Sequence, residues 1–248
     1  VRNGKQKSVA RAYLRAGPRA TLFYEPSRVK AAIVTCGGLC PGLNNVIREI
    51  VCCLHAAYGA TTPVLGVQHG YWGFWTPEIT TASERVANCP RDGPMELTPD
   101  NVRDIHRYGG TVLGADRGGD NVDVTVRFLQ HYGVNQLYII GGDGSHRGAH
   151  AIYRRIHELR LPIVIACLPK TVDDDVAIID RSFGFDTAVA EAQHAIHTAK
   201  IEARGAPYGI GVVKLMGRYA GFITAHATLA SGGAWHRDAP RLRLALRV

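Results

Sequence analysis

No apolar run in this sequence approaches the roughly 20 residues that a bilayer-spanning helix needs, and the longest, Gln136 to Ile140 and Leu161 to Leu168, fall far short. No membrane partner is expected. A secretory pattern of basic start, apolar stretch and small-residue cleavage site is also missing. The six cysteines form no Cys-x-x-Cys pair with a second pair or histidine partners, which excludes the usual zinc modules. Cys36, Cys40, Cys52 and Cys53 fall in what reads as a buried strand and the helix after it. Such placement fits reduced, core-filling thiols in the cytosol or a plastid. No internal repeat and no low-complexity tract stands out. Neither the Gly-Lys-Ser/Thr ending of a Walker loop nor the Gly-x-Gly-x-x-Gly spacing of a dinucleotide loop occurs in its glycine-rich turns.

What is present begins with charge. The formal net charge is +8, yet residues 1–30 carry +7 of it and residues 235–248 carry +3, leaving −2 on the body between them. Two basic ends on a nearly neutral body fit solvated arms better than a face that tracks a phosphate backbone. No nucleic-acid partner is expected.

From Lys30 onward short β-rich runs alternate with amphipathic stretches. Strands are expected over 31–35, 63–67, 136–140, 163–168 and 210–215, and helices over 43–56, 120–131, 145–159, 187–203 and 219–229. This alternation implies an α/β fold, a doubly wound, mostly parallel sheet with ligands at the carboxyl ends of its strands. Residues 70–100, with Tyr71-Trp-Gly-Phe-Trp75 and scattered prolines, read as an excursion whose aromatics form a packed cluster of little functional weight.

Three segments carry chemistry. The first, Cys36-Gly-Gly-Leu-Cys-Pro-Gly-Leu-Asn44, lies between a strand and a helix, where backbone amides favour an anion. A plain turn that needs glycine for positive φ explains it equally well. The second, Ile139-Ile-Gly-Gly-Asp-Gly-Ser-His-Arg-Gly148, adds Asp143, a carboxylate suited to a Mg²⁺ ion bridging phosphate oxygens. Ser145 suits a helix cap or a donor to phosphate. The third, Leu168-Pro-Lys-Thr-Val-Asp-Asp-Asp175, sets three adjacent carboxylates at a strand end. An acidic surface turn would explain three Asp alone, but beside an apolar strand and Pro-Lys they fit a base for a substrate hydroxyl near a metal-nucleotide.

Together with Arg15-Ala-Gly-Pro-Arg19, Leu113-Gly-Ala-Asp-Arg-Gly-Gly119, Phe183-Gly-Phe-Asp-Thr-Ala188 and Val213-Lys-Leu-Met-Gly-Arg-Tyr-Ala-Gly-Phe222, these blocks make the chain resemble the phosphofructokinase family, in its plant and algal ATP-dependent branch. The resemblance runs from about Val1 to Gly232. It implies a nucleotide-binding α/β domain over 31–175 and part of a sugar-phosphate domain over 176–234, preceded by the basic arm at 1–30. It also implies transfer of the γ-phosphate of Mg·ATP to the 1-hydroxyl of fructose 6-phosphate. Gly37, Arg117, Gly118, Gly142, Asp143, Gly144 and Ser145 would line the ATP site, and Asp143 and Asp175 would hold Mg²⁺. Thr171, Val172, Asp173, Met216, Gly217 and Arg218 would meet the sugar phosphate. Asp173 would act as base, with Thr171 and Arg117 completing the catalytic group. A cytosolic or plastid enzyme that assembles as a homo- or hetero-oligomer is implied. Gly144 selects the donor, because pyrophosphate users carry a bulky Asp there; Lys170, in contrast, resembles the pyrophosphate enzymes. The alternatives are therefore a pyrophosphate-dependent phosphotransferase or a catalytically incomplete paralogue.

Three departures from the family pattern stand out. Asp174 replaces the usual Asn and should raise the proton affinity of Asp173. Gly209 stands where bacterial relatives place a phosphate-binding Arg. Beyond Gly232 the resemblance ends, and the Arg-rich stretch 235–248 reads as an atypical tail on a chain with an exposed apolar face.

Overall fold

The computed structural model describes residues 17, 19–84, 92–218 and 221–232. Cys89, the 235–248 tail and, of the basic arm, residues 1–16 and 18 lie outside them.

Five strands form one sheet in the order β3-β2-β1-β4-β5. They are β1 (Ala31–Thr35), β2 (Val64–Val67), β3 (Met95–Leu97), β4 (Gln136–Gly141) and β5 (Val164–Pro169). All neighbours are parallel except β3, which runs antiparallel to β2. Every residue of β1 is buried, as a central strand covered on both faces requires. Helix α1 (Leu43–Cys52) buries Leu43, Ile47 and Val51, spaced by four, against Ala31 and Ile33 on one face. Helices α2 (Val122–His131) and α3 (Asp143–Glu158) cover Ala32, Val34, Leu137 and Ile139 on the other. The sheet is thus doubly wound. Asn121 caps α2, its side-chain oxygen accepting the Val124 N–H at 3.1 Å.

Helices α4 (Phe185–Arg204) and α5 (Phe222–Ala230) pack on each other around a separate cluster of Phe185, Ala192, Ile196, Ile223 and Ala227. Exposed apolar side chains on these helices and in the segment between them include Ile201, Tyr208, Ile210, Val212 and Leu229. No helix of the described residues is long and apolar enough to cross a membrane.

Three expectations fail. Residues 210–215 alternate like a strand, yet they have no strand partner among the described residues. The backbone at Gly209 and Gly211 lies close against Ala203 and Ala199 of α4, so this stretch follows a helix rather than a sheet edge. The first helix does not stay α-helical to Ala56: after Cys52 it continues as one π-helical turn, Cys53–Ala57. The extra residue per turn rotates the face, and Cys53 is exposed rather than core-filling, whereas Cys36 and Cys40 are buried.

The excursion opens with a 3-10 turn, Gly70–Phe74, with Tyr71 and Phe74 buried, and, contrary to the expectation of a stretch between elements, contributes β3 to the sheet. Phe74 meets Phe128 edge-on at 5.0 Å, and Phe128 meets Tyr132 at 4.5 Å. Phe128 is fully buried at the centre of this stack. Phe128→Ala should therefore lower stability by about 3–5 kcal/mol, read as a fall in the urea midpoint at unchanged m-value. An unmoved midpoint would show that the stack does not hold α2 to the sheet.

Candidate active site

In the sheet register, Thr35 pairs with Ile140 and Gly141 with Pro169, so β1, β4 and β5 end side by side. The loops leaving these ends enclose a cavity of about 620 Å³. This is the place that the doubly wound topology reserves for ligands.

At the end of β1 the Gly37 N–H donates to the Asp116 carbonyl at 3.0 Å, and the backbone turns at Gly37 with φ +84°. The Lys170 ammonium reaches across from β5 and donates to the Gly38 carbonyl. Burial pushes Lys170 below the ordinary lysine range, opposed by the nearby Cys40 and Cys36. Burial also pushes the Cys36 thiol up to about 12, although Lys170 pulls the other way, so Cys36 stays a neutral wall of the cavity at neutral pH.

At the end of β4, α3 begins at Asp143, directing its N-terminal amides toward the cavity. Gly141 packs directly against the Ser145 side chain, so a Cβ at 141 would have no room. Gly144 is the opposite case: a Cβ there meets nothing within 4 Å. The Asp143 carboxylate pairs with Arg147 at 2.8 Å, one turn along the helix.

The acidic turn follows β5. The Thr171 hydroxyl accepts the Asp173 N–H at 3.0 Å. Asp174 has φ +54°, a left-handed conformation that Asn and Asp tolerate better than most residues. Its Oδ1 accepts the Ser182 N–H at 2.6 Å, and the Ser182 hydroxyl, 3.1 Å from that oxygen, donates to the Thr171 carbonyl at 2.5 Å. The Asp174 carboxylate beside Asp173 is thus engaged by Ser182. Arg218 donates two N–H groups to Asp175, one at 3.1 Å, and stands 3.9 Å from the Asp173 carboxylate. Asp175 raises Arg218 above the ordinary arginine range.

Arg117 lies on the third wall, in a segment with positive φ at Gly114, Gly118 and Gly119. All residues assigned from the sequence line the cavity except Gly217 and Asp175. Asp175 reaches it only through Arg218, so a residue assigned to metal and one assigned to sugar phosphate bind each other. Tyr71 and Asp120 also line the cavity and were not anticipated. The signal for Tyr71 was the aromatic run between Gly70 and Gly73, both of which lie too close to neighbouring backbone to carry a Cβ. At Gly209 any side chain would run into the Ala203 carbonyl, so glycine fits the local packing.

Among the described residues no three His, Cys, Asp or Glu side chains come together. Mg²⁺ is held by one or two carboxylates together with substrate phosphates, which Asp143 in the cavity wall can satisfy. The buried Asp175 Oδ1 has no hydrogen-bond partner, the condition of an oxygen that a cation would satisfy. The residues fit such an ion.

Residues 30–236 match the family described as Phosphofructokinase. Over 219 residues the chain is 52% identical to the Arabidopsis thaliana protein named ATP-dependent 6-phosphofructokinase 1, covering 88% of this chain and 43% of that one. A chloroplastic Arabidopsis relative, ATP-dependent 6-phosphofructokinase 4, is 47% identical over 93% of this chain and 40% of its own. The bacterial ATP-dependent 6-phosphofructokinase of Amycolatopsis methanolica is 45% identical, over 88% and 45%. The chain therefore spans less than half the length of these relatives. Among solved structures, a Pichia pastoris phosphofructokinase superposes with a TM-score of 0.69 at 24% identity, over 86% of this chain and 21% of that one. A pyrophosphate-dependent phosphofructokinase from Marinobacter aquaeolei gives 0.65 at 19%, over 82% and 49%. A helix N-terminus and an acidic turn facing one cavity, on the sheet these structures share and with sequence agreement over most of its length, place the chain in the phosphofructokinase family.

Proposed function

We propose that the chain carries the donor site and the catalytic turn of an ATP-dependent 6-phosphofructokinase, which transfers the γ-phosphate of Mg·ATP to the 1-hydroxyl of fructose 6-phosphate. The observation that supports this most is the open space at Gly144, in the first turn of α3, facing the Arg117 wall and the Asp173 turn across one cavity. Gly37, Gly118, Gly142 and Ser145 let the polyphosphate approach the backbone, while the α3 N-terminus and the Arg117 guanidinium meet its negative charge. Asp143 and Asp175 would hold Mg²⁺, whose chemistry is to neutralise charge on the phosphate oxygens.

In this reading Asp173 accepts the proton of the sugar's 1-hydroxyl as that oxygen attacks, and Thr171 fixes the turn through the Asp173 N–H. Met216, Gly217 and Val172 flank the sugar, and its phosphate competes with Asp175 for Arg218. The paired 31–175 and 176–234 domains, the oligomer and a cytosolic or plastid setting extend the same reading, the last supported by relatives named as chloroplastic. Pyrophosphate as donor is favoured by one feature, the buried Lys170 ammonium at the cavity wall, but that group is engaged with the Gly38 carbonyl.

Gly144→Ala should leave stability within about 0.5 kcal/mol or improve it, since helix propensity rises and no atom is in the way. Gly144→Asp should weaken Mg·ATP binding at least ten-fold, or about 1.4 kcal/mol, in calorimetric titration, through repulsion of the α-phosphate. Equal ATP affinity in Gly144→Asp, or turnover with pyrophosphate and none with ATP, would reject the donor assignment. In a full-length context, Asp173→Asn should lower kcat by roughly 10² to 10⁴ while fructose 6-phosphate still binds. Asp174→Asn should keep turnover, because its amide oxygen can take the same Ser182 N–H, whereas Asp174→Ala should lose it together with about 1 kcal/mol of stability. Loss in both Asp174 variants would mean that the charge, not the acceptor, matters.

A further inference from the structure

The aromatic excursion sits behind the Arg117 segment. The Trp72 indole N–H donates to the Arg117 carbonyl at 3.1 Å, and the Trp75 indole N–H donates to the Gly119 carbonyl at 2.9 Å. The two rings lie 5.5 Å apart. The Gly118–Gly119 backbone presses on the Trp72 ring: a Cβ at Gly119 would stand 2.8 Å from the ring, and one at Gly118 3.6 Å from it. Glycines with φ of +84° and +78° leave this backbone little intrinsic preference, so its course must be set from outside. The same 3-10 turn reaches the second loop, because the Tyr71 hydroxyl donates to the Ser145 carbonyl at 2.9 Å. Phe74 roots the turn in the core against Phe128.

We propose that Trp72 and Trp75 are positioning residues that set where the Arg117 guanidinium stands, acting through the Arg117 and Gly119 carbonyls. They touch neither donor nor acceptor; they fix a glycine-rich wall that would otherwise have several courses. This rests on the reading of Arg117 as a ligand of the donor phosphates.

Trp72→Phe and Trp75→Phe keep a ring and remove the N–H. Each should weaken Mg·ATP binding roughly five-fold by calorimetry, the effect of one hydrogen bond. In an Arg117→Ala background the same substitutions should have a much smaller effect, since the guanidinium they position is gone and only the Gly118 backbone remains to be placed. Trp72→Ala should weaken binding more than Trp72→Phe. Hydrogen exchange reads the proposal without any nucleotide. The amides of Gly37 and Asn121, held by the Asp116 and Gly119 carbonyls, should exchange faster in both Phe variants, while those in β4 stay unchanged. Unchanged exchange at Gly37 and Asn121 overturns the proposal, as does a binding loss that persists fully without Arg117. If instead Arg117→Ala leaves ATP affinity intact, the donor-site reading fails while the exchange result still decides whether the indoles hold the segment.

Discussion

Everything at the cavity depends on β4 being hydrogen-bonded in parallel to both β1 and β5. That pairing puts Gly141 beside the Cys36 turn on one side and Pro169 on the other. Parallel neighbours share one direction, so three chain segments far apart in sequence leave the sheet at the same rim. Cross-links then hold the loops in place: Cys36 N–H to the Ile140 carbonyl, Lys170 N–H to the Gly141 carbonyl, and the Lys170 ammonium to Gly38. Removing β4 from this register would separate the anion-facing helix end from the acidic turn.

Charge at the cavity and along its margin is arranged in opposing pairs rather than neutralised at one point. Asp143 meets Arg147, and Asp175 meets Arg218, which also stands near Asp173. The exposed Asp143–Arg147 pair is individually weak, whereas Asp175 is the more buried partner of Arg218. In the proposed reading, a polyanion entering the cavity would take the guanidinium groups and leave the carboxylates to a cation.

The three loops were legible because each follows an apolar strand and ends in residues with a narrow physical use. The run before Gly141, the Asp-Gly-Ser start of α3 and the Pro-Lys before the acidic turn all declared themselves locally. What the sequence concealed was of longer range. Residues 210–215 alternate as a strand does, but alternation names a surface without its neighbour, and the neighbour is α4. Asp174 showed its charge but not its left-handed φ, and only that φ turns its carboxylate onto Ser182. The tryptophans showed their density, while their acceptors lie about 45 residues further along the chain.

The two margins of the sheet differ in kind. β3 is three residues long and antiparallel, a blunt border, whereas β5 offers six residues whose outer side is joined only near its end, where Phe183 N–H meets the Pro169 carbonyl. Among the described residues nothing else pairs with that side, and Val164, at its start, is 44% exposed. A row of donors and acceptors with no partner among the described residues, beside apolar side chains, is a template for strand addition. Among the described residues, β5 is therefore the border at which the sheet can still take a further strand.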